Sequence, residues 1–129
     1  KISHIALGDK KGEVNLGATE IYSPNYEINE KKAVITEKCN VDTLDNLHNI
    51  KNKLIAVKID VEGYELNILK GASKFLLNNN VFCQIEIKDK NFDEVLSFLK
   101  KYNFSLISIN KFNKTDYFFS NFIDEKIII

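Results

Sequence analysis

Residues 58–65 read Lys58-Ile59-Asp60-Val61-Glu62-Gly63-Tyr64-Glu65. Side chains alternate along a strand, so Lys58, Asp60 and Glu62 fall on one face. An unpaired buried charge is costly, so each of the three must be paired or stand at the strand's open end. Asp60 and Glu62 lie at the carboxyl end, the edge where open α/β sheets bind their ligands. The next apolar run, 81–88, repeats the theme with Gln84, Glu86 and Lys88 on one face. If the two runs are neighbours, two arrangements are open. A Lys58–Glu86 pair would neutralise both groups. Alternatively, Asp60, Glu62 and Glu86 converge as a carboxylate cluster able to hold a hard cation, accept a proton or bind an ammonium group. An Asp-x-Glu step at a strand end also serves simply as negative charge at the following helix N-terminus. Lys58 reads as a structural charge.

The elements that must position these groups follow from the hydrophobic pattern. Residues 54–61 are almost continuously apolar, as in a parallel strand buried on both faces. Gly63 ends that strand, and residues 65–77 then carry helical periodicity through Leu66, Leu69, Phe75 and Leu76. Gly71 in mid-helix costs about 1 kcal/mol against alanine, and close packing against the sheet would explain it. Residues 81–87 form a second buried strand. Asn91 is placed to cap a helix whose Phe92, Val95, Leu96 and Leu99 share one face. Strands at 104–109 and 116–119 close the chain.

Upstream, residues 2–7 read as a strand, followed by a turn at Gly8–Gly12. A short strand at 13–17, a polar loop over 18–33 with the only proline, Pro24, and a weak strand at 33–39 come next. Asp42 or Thr43 can cap a short helix reaching Leu47. The order is α/β with a parallel core and an antiparallel C-terminal hairpin. One domain spans residues 1–129, with no linker and no repeat.

Composition narrows the function. Eighteen basic and eighteen acidic side chains cancel, so no nucleic-acid or anionic-membrane partner is implied. Nothing resembles a signal peptide or a membrane span. Cys39 and Cys83 lack metal-ligand spacing, and Cys83 reads as a small buried hydrophobe. A reducing cytoplasm is therefore the expected location. His4 and His48 stand alone. There is no nucleophile elbow and no phosphate-cradling glycine loop. Phe118 and Phe119 read as core. Asp9, just after the first strand, can hydrogen-bond a ligand at the sheet's open edge, although Asp in a Gly-Asp turn has backbone reasons of its own.

Residues 55–71, IAVKIDVEGYELNILKG, resemble the signature stretch of FkbM-type methyltransferases. Leu69-Lys70-Gly71-Ala72 is similar to the end of the family's Glu-containing helix, and Thr43-Leu44-Asp45 to its Leu-Asp step. Gln84-Ile85-Glu86-Ile87 resembles its Glu-bearing fifth strand, and residues 5–12 resemble the end of its third strand with the following turn. The resemblance runs in order along nearly the whole chain. It implies a Rossmann-like class I methyltransferase sheet that moves a methyl group from S-adenosylmethionine to a hydroxyl of a sugar, glycan or natural-product acceptor. It implies that Asp60 and Glu62 face the methionine end of the cofactor and the acceptor. One of them would be base or orienting group, with Glu86 orienting or balancing charge and Asp9 near the adenine side. A metal requirement does not follow from it.

The family's first two strands and its Gly-rich turn have no counterpart here. The chain also opens at Lys1 inside strand-like residues and holds no methionine. The expectation is a C-terminal portion of the methyltransferase domain, inactive and poor at cofactor binding by itself. It leaves the 54–61 strand with an open apolar edge, which invites self-association or a rearrangement that pairs the N-terminal strand with it. Two other readings compete. One is a non-catalytic α/β scaffold or interaction module. The other is a metal-dependent phosphodiesterase barrel, for which the chain is too short, since a full barrel needs at least about 200 residues.

Overall fold

The computed structural model describes residues 3–18 and 35–123. These form a mixed α/β structure with two sheets. The first sheet has three strands, β1 (Ala6–Leu7), β2 (Gly12–Ala18) and β3 (Ile35–Asp42), in the order β1-β3-β2. β3 runs parallel to β1, with Ala6 opposite Val41, and antiparallel to β2, with Gly12 also opposite Val41. The strand expected over 2–7 is thus shorter, and the one expected over 13–17 is longer. Of the loop expected at 18–33, Ala18 belongs to β2 and the remainder lies outside the described residues.

β1 does not pair with the 54–61 run; it takes β3 as its neighbour instead. The Asp9–Lys11 turn is short, yet β1 and β2 form no hairpin because β3 inserts between them. After β3, the Thr43 hydroxyl accepts the Asn46 N–H at 3.1 Å and caps α1 (Leu44–Leu47). This is the capping use that suits Thr at a helix start.

The second sheet holds β4 (Leu54–Ile59), β5 (Asn80–Glu86), β6 (Ser105–Ile109) and β7 (Asp116–Ser120), in the order β4-β5-β7-β6. β4 and β5 are parallel, from Leu54 opposite Asn80 to Ile59 opposite Ile85. β7 is antiparallel to both β5 and β6, so the expected antiparallel finish is present. Val81, Cys83, Ile85 and Ile87 point into the core, each at most 1% exposed.

β4 departs from its sequence pattern. It was expected to be buried on both faces, but it is an edge strand with Leu54, Ala56 and Lys58 exposed. Leu54 is 72% exposed. Ile55 and Val57 are half-buried and Ile59 is buried, so one face still packs on the core.

The single helix expected over 65–77 is two, α2 (Glu65–Lys70) and α3 (Ser73–Leu77), broken at Gly71-Ala72. Two contacts cause the break. A Cβ on Gly71 would lie 1.9 Å from the Gly8 carbonyl oxygen, so the backbones meet with no room for a side chain. The Asp45 carboxylate then accepts the N–H groups of Lys74 and Phe75, both at 2.8 Å, and starts α3 afresh. The expected close approach at Gly71 is real, although its partner is the end of β1.

α4 (Phe92–Lys100) buries Val95 and Leu99 as its pattern requires. Asn91 occupies the cap position, but its side chain makes no capping hydrogen bond; a 3-10 turn at Asp89–Asn91 leads into the helix instead. The helices cover one face of the second sheet, with Leu69, Phe75, Leu76, Ile85, Leu99 and Phe119 at the centre. Among the described residues no helix is long and apolar enough to cross a membrane.

The Gly8–Gly71 contact gives a sharp expectation. Gly71→Ala should destabilise the chain by more than about 2 kcal/mol, because only backbone shifts can relieve the overlap. Gly12→Ala, where an added Cβ meets nothing within 4 Å, should change stability by less than about 0.5 kcal/mol. Urea unfolding of the two variants checks the contrast.

Candidate active site

One residue beyond the last β4–β5 partners, Asp60 comes beside Glu86. Parallel pairing in register brings two carboxyl groups together at the carboxyl end of the sheet. Lys58, two residues back on the same face, closes an ion pair with Asp60 at 2.8 Å. The Lys58–Glu86 pair is therefore not formed, because its own strand offers Lys58 a nearer partner. Asp60 and Glu86 are within hydrogen-bonding reach of each other. The Thr115 hydroxyl approaches Glu86 Oε1 at 3.3 Å from the start of β7.

The electrostatics follow from this arrangement. The Lys58 ammonium holds the Asp60 carboxyl below its usual value, and Asp60 in turn raises Lys58. The hydrogen bond to Asp60 pushes Glu86 up, helped by burial and by the charges of Asp60 and Asp116. Asp116 sits directly opposite Glu86 on β7 and is held by the side-chain amides of Asn110 and Asn113, each at 3.4 Å. A like charge at this distance disfavours a second ionisation. Asp60 is thus the more acidic of the two, and Glu86 the one whose ionisation is disfavoured.

Glu62 does not join them. Strand geometry ends at Ile59, and Glu62 adopts a left-handed backbone with φ of 54°, followed by Gly63 at 105°. That turn breaks the alternation which placed Glu62 on the Asp60 face. Its carboxylate goes instead to Lys88, at 2.9 Å. The three-carboxylate convergence is accordingly replaced by a pair plus a separate ion pair. Among the described residues no three His, Cys, Asp or Glu side chains cluster as metal ligands.

A cavity of about 800 Å³ is lined at one end by Asp60, while Glu86 lies off its wall. Consecutive residues of β1 (Ile5, Ala6, Leu7) line one side, and consecutive residues from Val57 to Glu62 line the other. It therefore follows strand edges rather than one face. Among the described residues β1 hydrogen-bonds only to β3, and β4 only to β5. Ile68, Leu69, Ala72, Phe75 and Leu76 form its floor. The walls are mainly apolar, and Lys58, Asp60 and Glu62 bring charge to one end. Asp9 is exposed in the turn after β1 and is not part of this wall. Cys83 reaches the cavity, but burial pushes its thiol up to about 12, so it is not a nucleophile at neutral pH. His4 and His48 are exposed and lie off the wall.

Glu65 is the residue that the pattern should have flagged. It shares a helical face with Ile68, Leu69 and Ala72, all buried, so a carboxyl was placed on an apolar stripe. It is 1% exposed, and its Oε1 accepts the Gly63 N–H at 2.7 Å. Its Oε2 is buried without a hydrogen-bond partner.

Two sheets with parallel and antiparallel strands, a crossover helix pair and carboxylates at the carboxyl edge define a mixed α/β protein. A model of the methyltransferase FkbM domain matches residues 3–106, well over half of the chain. The chain belongs to the FkbM methyltransferase domain family. Neither the curated proteins nor the solved structures yield a match.

The carboxyl pair has a stability signature. Glu86 is raised above the ordinary 4.5, so its contribution is fully present below the unfolded pKa and is lost as pH rises through the folded value. Above that, two like charges oppose folding. Glu86→Gln should therefore be more stable than wild type at pH above the folded value, by less than about 1 kcal/mol given the partial exposure. The advantage should vanish as pH falls below the unfolded value. Thermal unfolding of both chains across a pH series checks the sign.

Proposed function

We propose that the chain carries the acceptor side of an S-adenosylmethionine-dependent O-methyltransferase, acting on a hydroxyl of a sugar, glycan or natural product. The observation that supports it most is Asp60, with Glu86 behind it, at one end of a mainly apolar cavity, in a chain of the FkbM family. On this reading the two sheets are parts of one Rossmann-like methyltransferase sheet.

The residues that line this cavity fit that cofactor. Its methionine end is cationic, and the Asp60 and Glu62 carboxylates suit it; the apolar walls suit an aromatic ring. S-adenosylmethionine would supply an electrophilic methyl on a positively charged sulfur. With it bound, methyl transfer would require the acceptor oxygen to be aligned behind that carbon and relieved of its proton. The hydroxyl proton passes to the Asp60–Glu86 pair. Lys58 keeps Asp60 ionised, ready to accept it. Glu86 shares and stores the proton, with Thr115 fixing its orientation. Glu62, paired with Lys88, orients the methionine end. Asp9 is assigned to the adenine side. Alignment of the acceptor oxygen supplies a further part of the rate.

A second reading, an α/β scaffold or interaction module that associates through the edge of β4, is favoured by edges of β1 and β4 along the cavity that no described strand pairs with.

Methyl transfer from labelled S-adenosylmethionine to a panel of hydroxyl-bearing sugars and natural products, catalysed by the whole protein, separates the two. Asp60→Asn should lower kcat by about 10²-fold or more and also raise KM for the cofactor, whose cationic end loses a facing carboxylate. Turnover unaffected by Asp60→Asn and by Glu86→Gln would end the base assignment. No transfer to any acceptor, with concentration-dependent dimers in ultracentrifugation, would favour the scaffold.

A further inference from the structure

The peptide group between Glu62 and Gly63 is held from both ends. Its N–H donates to Glu65 Oε1 at 2.7 Å, and its carbonyl oxygen lies 3.5 Å from Lys88 Nζ. The same ammonium takes the Glu62 carboxylate at 2.9 Å. Both residues of that peptide have positive φ. Gly63 adopts this without strain, but a glutamate does not: the left-handed region costs an L-residue roughly 1–2 kcal/mol. Something must over-determine the turn for it to persist.

Glu65 is the strongest constraint available. It is 1% exposed, and a buried carboxylate oxygen is costly without a donor. Its bond to Gly63 is short at 2.7 Å, and it is fixed by the first turn of α2. Rotation of the 62–63 peptide would leave both oxygens of a buried carboxyl unpartnered, since Oε2 already has none.

We infer that Glu65 is a positioning residue that locks the Glu62–Gly63 peptide so that Glu62 stays on Lys88 and out of the Asp60–Glu86 pair. Without the lock, Glu62 relaxes to an extended backbone. Strand alternation then returns its side chain to the face shared by Lys58 and Asp60. A third carboxylate beside Glu86 would spread one cation, Lys58, over three acids, and the pair would no longer exchange a single proton. The charged groups facing Glu86 in the wild-type chain are Asp60 and Lys58 from β4 and Asp116 from β7.

This inference deepens the proposed role of the pair and rests on it for its meaning, but its readout is the chain's own titration. A protein that transfers no methyl group leaves it standing. The test is carboxyl-carbon NMR titration of Glu86 in wild type, Glu65→Gln, Glu65→Asp and Glu65→Leu, with circular dichroism to confirm folding. Glu65→Gln keeps an acceptor oxygen for the Gly63 N–H and should titrate like wild type. Glu65→Leu removes the acceptor, and the midpoint of Glu86 should rise by roughly half a pH unit or more as Glu62 approaches. If Glu65→Leu does not fold, Glu65→Asp, one methylene too short to reach Gly63, decides by the same shift. A folded Glu65→Leu or Glu65→Asp chain that is merely less stable, with the Glu86 midpoint unchanged, would overturn the proposal. So would a Glu65→Gln chain that shifts as much as Glu65→Leu.

Discussion

The structure turns on a backbone contact between two glycines. Gly8 ends β1 and Gly71 ends α2, and no Cβ fits between them. Around that point the Asp45 amide donates to the Gly71 carbonyl at 3.0 Å, and the Asp45 carboxylate caps α3. The three-stranded sheet and the helical layer are joined there by groups that tolerate little displacement. The cavity depends on this joint, because β1 forms one of its sides and the helices α2 and α3 its floor. A looser joint would let β1 move away from β4 and dissolve the concave wall. Close packing transmits such shifts rather than absorbing them.

Charge is distributed along the site by the same logic of enforced geometry. β4 and β5 must be parallel and in register to bury Ile59 against Ile85, and that register puts Asp60 beside Glu86. Two carboxyls brought together by packing cannot both be ionised cheaply. Lys58 resolves the conflict for Asp60, and Glu86 resolves it by holding a proton longer. Glu62 would have made the conflict worse, and the left-handed turn removes it to Lys88. Acid–base capacity at this edge is thus a by-product of hydrophobic register, tuned by two lysines.

Much of this was legible in the residues. The alternation of Gln84, Glu86 and Lys88 against Val81, Cys83, Ile85 and Ile87 described β5 correctly, because burial there is one-sided and deep. The proximity of Asp60 and Glu86 followed from alternation once the strands were taken as neighbours. β4 was misread because an apolar run looks the same whether or not a partner covers its second face; Leu54 and Ala56 face solvent. The break at Gly71 depended on Asp45, about thirty residues earlier, which no local pattern can reveal. Asn91 looked like a cap, but a 3-10 turn had already supplied the helix entry. The convergence of Glu62 with Asp60 and Glu86, one of two arrangements the residues leave open, does not form because side-chain alternation holds only while the strand lasts, and the turn at Glu62-Gly63 ends it. Glu65 was missed although its spacing to Ile68, Leu69 and Ala72 put it on the buried face.

Lys58 links the two features of β4 that look independent, its open edge and its acidic end. An apolar edge strand offers unpaired N–H and C=O groups to other chains, and lysine on the edge is a common means of discouraging them. Lys58 is exposed beside Ala56 and Leu54 on that strand, so it can serve this purpose only while it remains charged. Its pairing with Asp60 raises its own pKa and secures that charge. The same contact keeps Asp60 ionised. One ion pair therefore disfavours edge-to-edge pairing and holds Asp60 in its charged form. A neutral residue at this position would alter both together: the edge would become a continuous apolar row, and Asp60 would compete with Glu86 for the shared proton on nearly equal terms.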